Sequence, residues 1–220
     1  MTASGTILVT GASGYVGARL VSRLVRKGYS VRAAARSVEN LRKRPWWNHP
    51  LVEPVAADVL DHASLAGAGE GCGAAYYLVH SMGPGRHDFE EEDRKAARNM
   101  ADAAGAAGLS RLIYLGGLGE DDGGLSRHLR SRGEVADILG SGKTPLTVLR
   151  AAMILGAGSG SFEILRYIVD RLPVMITPRW IGTECQPIGI WNVLDYLVGC
   201  LDTPATAGGT FDIGGPEAVT

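Results

Sequence analysis

Ile7-Leu8-Val9-Thr10-Gly11-Ala12-Ser13-Gly14-Tyr15-Val16-Gly17 is an apolar run that ends in three glycines spaced GxxGxxG. Its surroundings fit on both sides. Ile7, Leu8 and Val9 read as a buried parallel strand, and Ala18 to Lys27 as an amphipathic helix with Leu20, Val21, Leu24 and Val25 on one face. Gly28 supplies the helix stop. Strand, glycine turn and helix N-terminus in series aim backbone N–H groups and the positive end of the helix dipole at an anion. That is how a dinucleotide pyrophosphate is held. Gly11, Ser13, Gly14, Tyr15, Val16 and Gly17 are therefore candidate cofactor-binding residues.

The same alternation continues outward. Ser30 to Arg36, Leu51 to Ala56, Ala74 to Val79, Arg111 to Leu115 and Leu146 to Arg150 read as strands. Between them, Asp61 to Ala66, the alanine-rich Phe89 to Ala107 and Leu125 to Leu139 read as helices. This pattern predicts an α/β fold with a doubly wound parallel sheet, a Rossmann arrangement of order 3-2-1-4-5-6. Residues 1–150 form the dinucleotide-binding domain on this reading. Beyond Arg150 the rhythm changes: a helix is expected at Ser161 to Arg171, a short strand within Pro173 to Pro178, a helix at Ile190 to Leu201 and a strand at Thr210 to Ile213. Residues 151–220 are expected to make a small substrate-side lobe, partly interleaved with the sheet. The ending at Gly214-Gly215-Pro216 has no closing helix and predicts a native chain that continues past Thr220.

Composition narrows the function. A chain of 220 residues can bury a full core. The balance of 22 Lys+Arg against 23 Asp+Glu provides no global field for nucleic acid or an anionic membrane. No run reaches the roughly eighteen apolar residues of a spanning helix. The first strand follows Met1 too closely to leave room for a signal peptide. Cys72, Cys185 and Cys200 are odd in number and scattered, which argues against a disulfide framework and a zinc site. A cytoplasmic protein with no metal, nucleic-acid or membrane partner is expected.

At the end of the second strand, an acid would bond the 2′-hydroxyl of NAD, whereas an arginine suits the 2′-phosphate of NADP. Arg36 stands there, with no acid before Glu39, and Arg32 is a second candidate. A guanidinium grips phosphate through charge-assisted, bidentate hydrogen bonds. NADP(H) is therefore expected in preference to NAD(H), the alternative for Arg36 being a solvated strand-end charge. Asp58, just after the third strand, has two readings: acceptor for the adenine amino group, or cap of the next helix. Val79 and His80 close the fourth strand where the chain would pass the nicotinamide ribose. His80 suits acid–base work by its ordinary pKa, or a hydrogen-bonded structural role. His87 and Asp88 are expected to cap the long helix. The run Glu90-Glu91-Glu92-Asp93 fits that helix's N-terminal dipole better than a metal site.

These residues resemble the short-chain dehydrogenase/reductase superfamily, in its extended and atypical branch with the NmrA-like NADPH-binding proteins. The likeness rests on Thr10 to Gly17, on Val31 to Arg36, on Asp58-Val59, on Arg150 to Gly156 and on Phe211 to Pro216. Val79-His80-Ser81-Met82-Gly83 and Pro178-Arg179-Trp180 resemble most an uncharacterised bacterial NAD(P)H-binding group, in which a further domain follows. The resemblance implies Asp58 and Val59 at the adenine.

Catalytic residues are where the chain departs from that superfamily. Active members carry a Ser after the fifth strand and Tyr-x-x-x-Lys on the next helix. Here Gly116 and Gly117 stand at the serine's place, and His128 and Arg132 at those of Tyr and Lys. Their i, i+4 spacing keeps both on one helical face. His128 can donate a proton, but a nearby cation pushes an imidazole toward its neutral form, and Arg132 cannot deprotonate. Two functions follow. One is an NADPH-dependent oxidoreductase acting on a small apolar or quinone-like acceptor, with His128 and Arg132 at the reaction. The other is a non-catalytic NADP(H)-binding redox sensor that engages a protein partner. Met153, Phe162 and Trp180 suggest an apolar substrate pocket, or ordinary lobe packing.

Overall fold

Strand and helix alternate from Thr6 to Ala151, where apolar strands lead into helices such as α1 that carry one apolar face. The computed structural model describes residues 5–80, 89–118, 127–171 and 185–219. The elements are β1 Thr6–Thr10, α1 Tyr15–Arg26, β2 Val31–Ala35, α2 Glu39–Arg42, β3 Val52–Ala56, α3 His62–Gly69, β4 Cys72–Tyr77, α4 Phe89–Ala106, β5 Arg111–Gly117, α5 Arg127–Gly140, β6 Leu146–Ala151, β7 Ile154–Leu155, α6 Gly160–Arg171, β8 Ile188–Gly189, α7 Ile190–Asp202 and β9 Thr210–Ile213.

The main sheet has seven strands in the order β3-β2-β1-β4-β5-β6-β9, every described pair parallel. The expected order 3-2-1-4-5-6 is present, and Thr210–Ile213 adds a seventh strand beside β6. The central strands are mainly apolar because both faces are covered. Ile7 and Val9 pack with Leu20 and Leu24 of α1 and with Val193, Leu194 and Leu197 of α7. Leu8 points the other way, into a core with Leu65 of α3, Met100 of α4 and Leu139 of α5. Pro54, which has no N–H to give, lies on the edge strand β3.

Gly28 ends α1 as expected: its φ of +87° is left-handed, and its N–H donates to the Val25 carbonyl at 3.0 Å. Helix α2 has no counterpart in the sequence reading, because only Leu41 of its four residues is buried and no period shows. After Ala151 the chain divides. Helix α7 and β9 join the sheet and its covering layer, while β7 and β8 form a separate parallel pair that matches Ile154 with Ile188. The strand expected within Pro173 to Pro178 lies outside the described residues, as do His87, Asp88 and the start of the helix expected at Leu125.

Long-range hydrogen bonds to backbone carbonyls anchor α7. The Tyr76 hydroxyl donates to the Leu197 carbonyl at 2.9 Å. Arg111, buried at the start of β5, donates to the carbonyls of Cys200, Thr203 (3.0 Å) and Pro204 (3.2 Å). A guanidinium at a helix C-terminus satisfies carbonyls that have no partner within the helix and meets the negative end of its dipole.

Candidate cofactor-binding cleft

The C-terminal ends of the central strands open on one cleft of about 1720 Å³, lined from Arg36 and Asp58 past the glycine loop to Gly117 and Met153. It lies beside β1, whose neighbours β2 and β4 take the chain in opposite directions across the sheet. Open α/β sheets bind ligands at such a switch point.

The glycine loop is as close-fitting as its spacing suggests. Gly11 has a φ of +73°, and a Cβ there would lie 2.7 Å from the Leu78 carbonyl oxygen and 3.2 Å from Val79 Cγ2. A Cβ on Gly17 would lie 2.2 Å from the Gly11 carbonyl oxygen. Gly14 donates to that same oxygen at 2.9 Å and serves as the N-cap of α1. No side chain caps this helix start, and no acid stands in its first turn. The N–H groups of that turn therefore face the cleft without an anionic competitor, which fits a pyrophosphate. Gly11, Ser13, Gly14, Tyr15, Val16 and Gly17 all line the cleft.

Arg36 is exposed at the end of β2 and lines the cleft, with no carboxylate paired to it among the described residues. Arg32 is spent elsewhere, which removes it as an alternative. Its guanidinium pairs with Glu53 at 2.8 Å and donates to the carbonyls of Ala68 (3.0 Å) and Glu70 (2.6 Å). The capping reading of Asp58 is also corrected. Asp61 is the N-cap of α3 and accepts from Ala63 N–H at 3.1 Å, whereas Asp58 accepts from Leu60 N–H at 3.0 Å within its own turn. Asp58 and Val59 line the cleft, and Asn99 of α4 holds their loop by donating to the Val59 carbonyl at 2.9 Å. Val79 and His80, just past β4, line the cleft too, with His80 exposed.

The far end of the cleft is apolar. Gly116, Gly117, Leu118, Leu129 and Met153 line it. A Cβ on Gly117 would lie 2.9 Å from Leu129 Cδ2 and 3.4 Å from Arg132 Cδ, so glycine is what lets α5 approach the end of β5. Arg132 lines the cleft on α5, its Nη1 donating to the Leu115 carbonyl at 3.5 Å. His128 is on the same helix, with its side chain outside the described part. Behind this wall Tyr114 is buried and donates to the Arg132 carbonyl at 3.4 Å. Burial pushes its phenol up to about 12, with Arg132 opposing and Asp93 reinforcing the shift.

The acidic run at the start of α4 divides by role. Glu91 pairs with Arg94 (3.1 Å) and Arg98 (3.0 Å), which hold its carboxyl below the usual range. Asp93 is buried and accepts from Ser131 Oγ of α5 at 3.1 Å. Glu92 lines the cleft, as do Cys185 and Gln186, which no local pattern singles out. Phe162 is absent from the cleft lining, and Ser81 to Asp88 and Trp180 lie outside the described residues. Among the described residues no His, Cys, Asp and Glu cluster could hold a metal, and no helix is long and apolar enough to cross a membrane.

The fold and the glycine cleft define a protein with a Rossmann-type nucleotide-binding sheet. The chain belongs to the NAD(P)H-binding family, whose model matches residues 11–164. It is 26% identical over 223 residues to a divinyl chlorophyllide a 8-vinyl-reductase of Oryza sativa subsp. indica, a match covering 96% of this chain and 54% of that protein. Other curated relatives, at 34–35% identity over 96 residues, are matched over only 24–26% of their length. A short-chain dehydrogenase/reductase superfamily protein from Agrobacterium tumefaciens with bound NAD superposes with a TM-score of 0.75 at 20% identity, over 97% of this chain and 79% of that one. A dTDP-glucose 4,6-dehydratase double mutant from Streptomyces venezuelae with bound NAD gives 0.80 at 17%, over 97% and 77%. At these identities the likeness establishes the fold.

Proposed function

We propose that this chain binds NADP(H) in preference to NAD(H) and is an oxidoreductase for a small apolar or quinone-like acceptor. The observation that carries the reading is the continuity of the cleft, from the glycine loop and Arg36 to the apolar wall of Gly117, Leu118, Leu129 and Met153. On this reading Gly11, Ser13, Gly14, Tyr15, Val16 and Gly17 hold the pyrophosphate, and Arg36 takes the 2′-phosphate. Asp58 and Val59 border the adenine, and Val79 and His80 the nicotinamide ribose. The protein is cytoplasmic, with no nucleic-acid or membrane partner, as its balanced charge suggests.

A bound nicotinamide supplies a hydride. The chain's part is to align an acceptor, exclude water and supply a proton where charge develops. Arg132 stays cationic and stabilises negative charge on the acceptor, while His128, or water, provides the proton. An acceptor that spreads charge through conjugation needs less from a positioned acid, which suits a helix face without Tyr-x-x-x-Lys. NADPH consumption with a panel of quinones and aldehydes tests this, with His128→Ala alongside. Turnover with a quinone, slowed in the variant, is expected; an unchanged rate removes His128 from the chemistry.

The glycines at 116 and 117 and the replacement of Tyr and Lys by His128 and Arg132 favour a second reading. In it the chain binds NADP(H) without turnover and reports redox state to a protein partner. Tight NADPH binding with no consumption across the panel would select it.

A further inference from the structure

We infer that Arg44 is a positioning residue for the cofactor: it fixes the Ser13–Gly14 peptide and thereby sets the affinity of the cleft for a pyrophosphate. The inference rests on the dinucleotide reading of the glycine loop.

The Ser13–Gly14 peptide is held at both ends. Its N–H donates to the Gly11 carbonyl at 2.9 Å, and its carbonyl accepts from Arg44 Nη2. Arg44 reaches it from the turn after α2, where its own N–H donates to the Leu41 carbonyl at 2.9 Å. Two residues further on, buried Trp46 donates from Nε1 to the Ala18 carbonyl at 2.8 Å. The segment 44–46 therefore grips the start of α1 at two carbonyls, one on each side of the helix's first turn. Arg44 Nε is buried and has no acceptor, so the Ser13 carbonyl is the acceptor that seats this guanidinium among the described residues.

The consequence is electrostatic. The Gly14 N–H is turned to the Gly11 carbonyl, so this peptide fixes the N-cap of α1, from which the next N–H groups face the cleft. A helix start released from Arg44 would misalign those N–H groups against a pyrophosphate. Arg44 holds the Ser13 carbonyl against the protein and leaves a positive charge next to the anion's cradle. Both effects act on the pyrophosphate, which NADPH, NADH and ADP-ribose share, and neither requires the 2′-phosphate.

Titrations of the parent protein, Arg44→Met and Arg44→Lys with NADPH, NADH, ADP-ribose and 2′-AMP test this, with melting temperatures of the free proteins. In Arg44→Met the dissociation constants of NADPH, NADH and ADP-ribose should all rise by about tenfold, or 1.4 kcal/mol. That of 2′-AMP, which has no pyrophosphate, should hold. Arg44→Lys, which keeps the charge and one donor, should recover part of the loss and covers the case of a poorly folded Met variant. Unchanged affinity for ADP-ribose in both variants overturns the inference, as does a loss confined to NADPH and 2′-AMP or a drop in melting temperature without a change in nucleotide affinity. A parent protein that binds none of the four overturns the dinucleotide reading itself.

Discussion

Gly17 and the Gly11 carbonyl oxygen stand so close that a Cβ on Gly17 would lie 2.2 Å from that oxygen. The first turn of α1 rests directly on the turn that precedes it, and this contact exposes the helix's leading N–H groups to the cleft. Gly17→Ala must push α1 away from Gly11. It should cost about 1–3 kcal/mol of stability, as overpacking does. It should also weaken NADPH binding by at least about tenfold, beyond any loss from unfolding. Thermal melting and nucleotide titration on the same samples separate the two effects.

Arg36 governs the choice between cofactors on the proposed reading. Arg36→Ala should lose a charge-assisted bond of about 1.5–3 kcal/mol to the 2′-phosphate and leave NADH affinity nearly unchanged. The NADPH-to-NADH affinity ratio measured by fluorescence titration should fall by roughly tenfold to a hundredfold. Equal affinities in the parent protein would contradict the role.

Arg111 is not among the residues that line the cleft, and its bonds hold the end of α7. Replacing it with Met removes its bonds to the carbonyls of Cys200, Thr203 and Pro204, which keep donors in Thr206 and Ala207. Chemical denaturation should register a loss of about 1.5–3 kcal/mol, the worth of a hydrogen bond to a charged group, with NADPH affinity retained.

Tyr114 supplies a pH signature. Its folded-state pKa, pushed up to about 12, exceeds the unfolded phenol's, so folding favours the neutral form. That contribution is complete below a pH of about 10, the ordinary phenol value, and is lost as pH rises toward 12. Denaturation midpoints should fall across this window, and Tyr114→Phe should fall less steeply. Equal slopes would contradict the assignment.

The sheet order and the glycine cleft were legible because their signals are local. GxxGxxG sits between an apolar strand and an amphipathic helix, and β–α alternation with right-handed crossovers leaves few orders. The resolution of Asp58 against Asp61 was not legible, since either acid could precede the helix and only the fold decides which meets Ala63 N–H. Arg32 and Arg36 both suit a phosphate by type. Glu53 on the neighbouring strand claims Arg32, and that pairing exists only after β2 and β3 align. Arg44 reaching Ser13 and Arg111 reaching Cys200 are contacts across long stretches of chain, which no periodicity encodes.

A crystal structure grown with NADPH tests the central claim most directly. Pyrophosphate oxygens should lie on the backbone N–H groups at the start of α1 between Gly14 and Gly17, with the 2′-phosphate on Arg36. Density for the nucleotide elsewhere, or a glycine loop closed against it at saturating NADPH, would contradict the account.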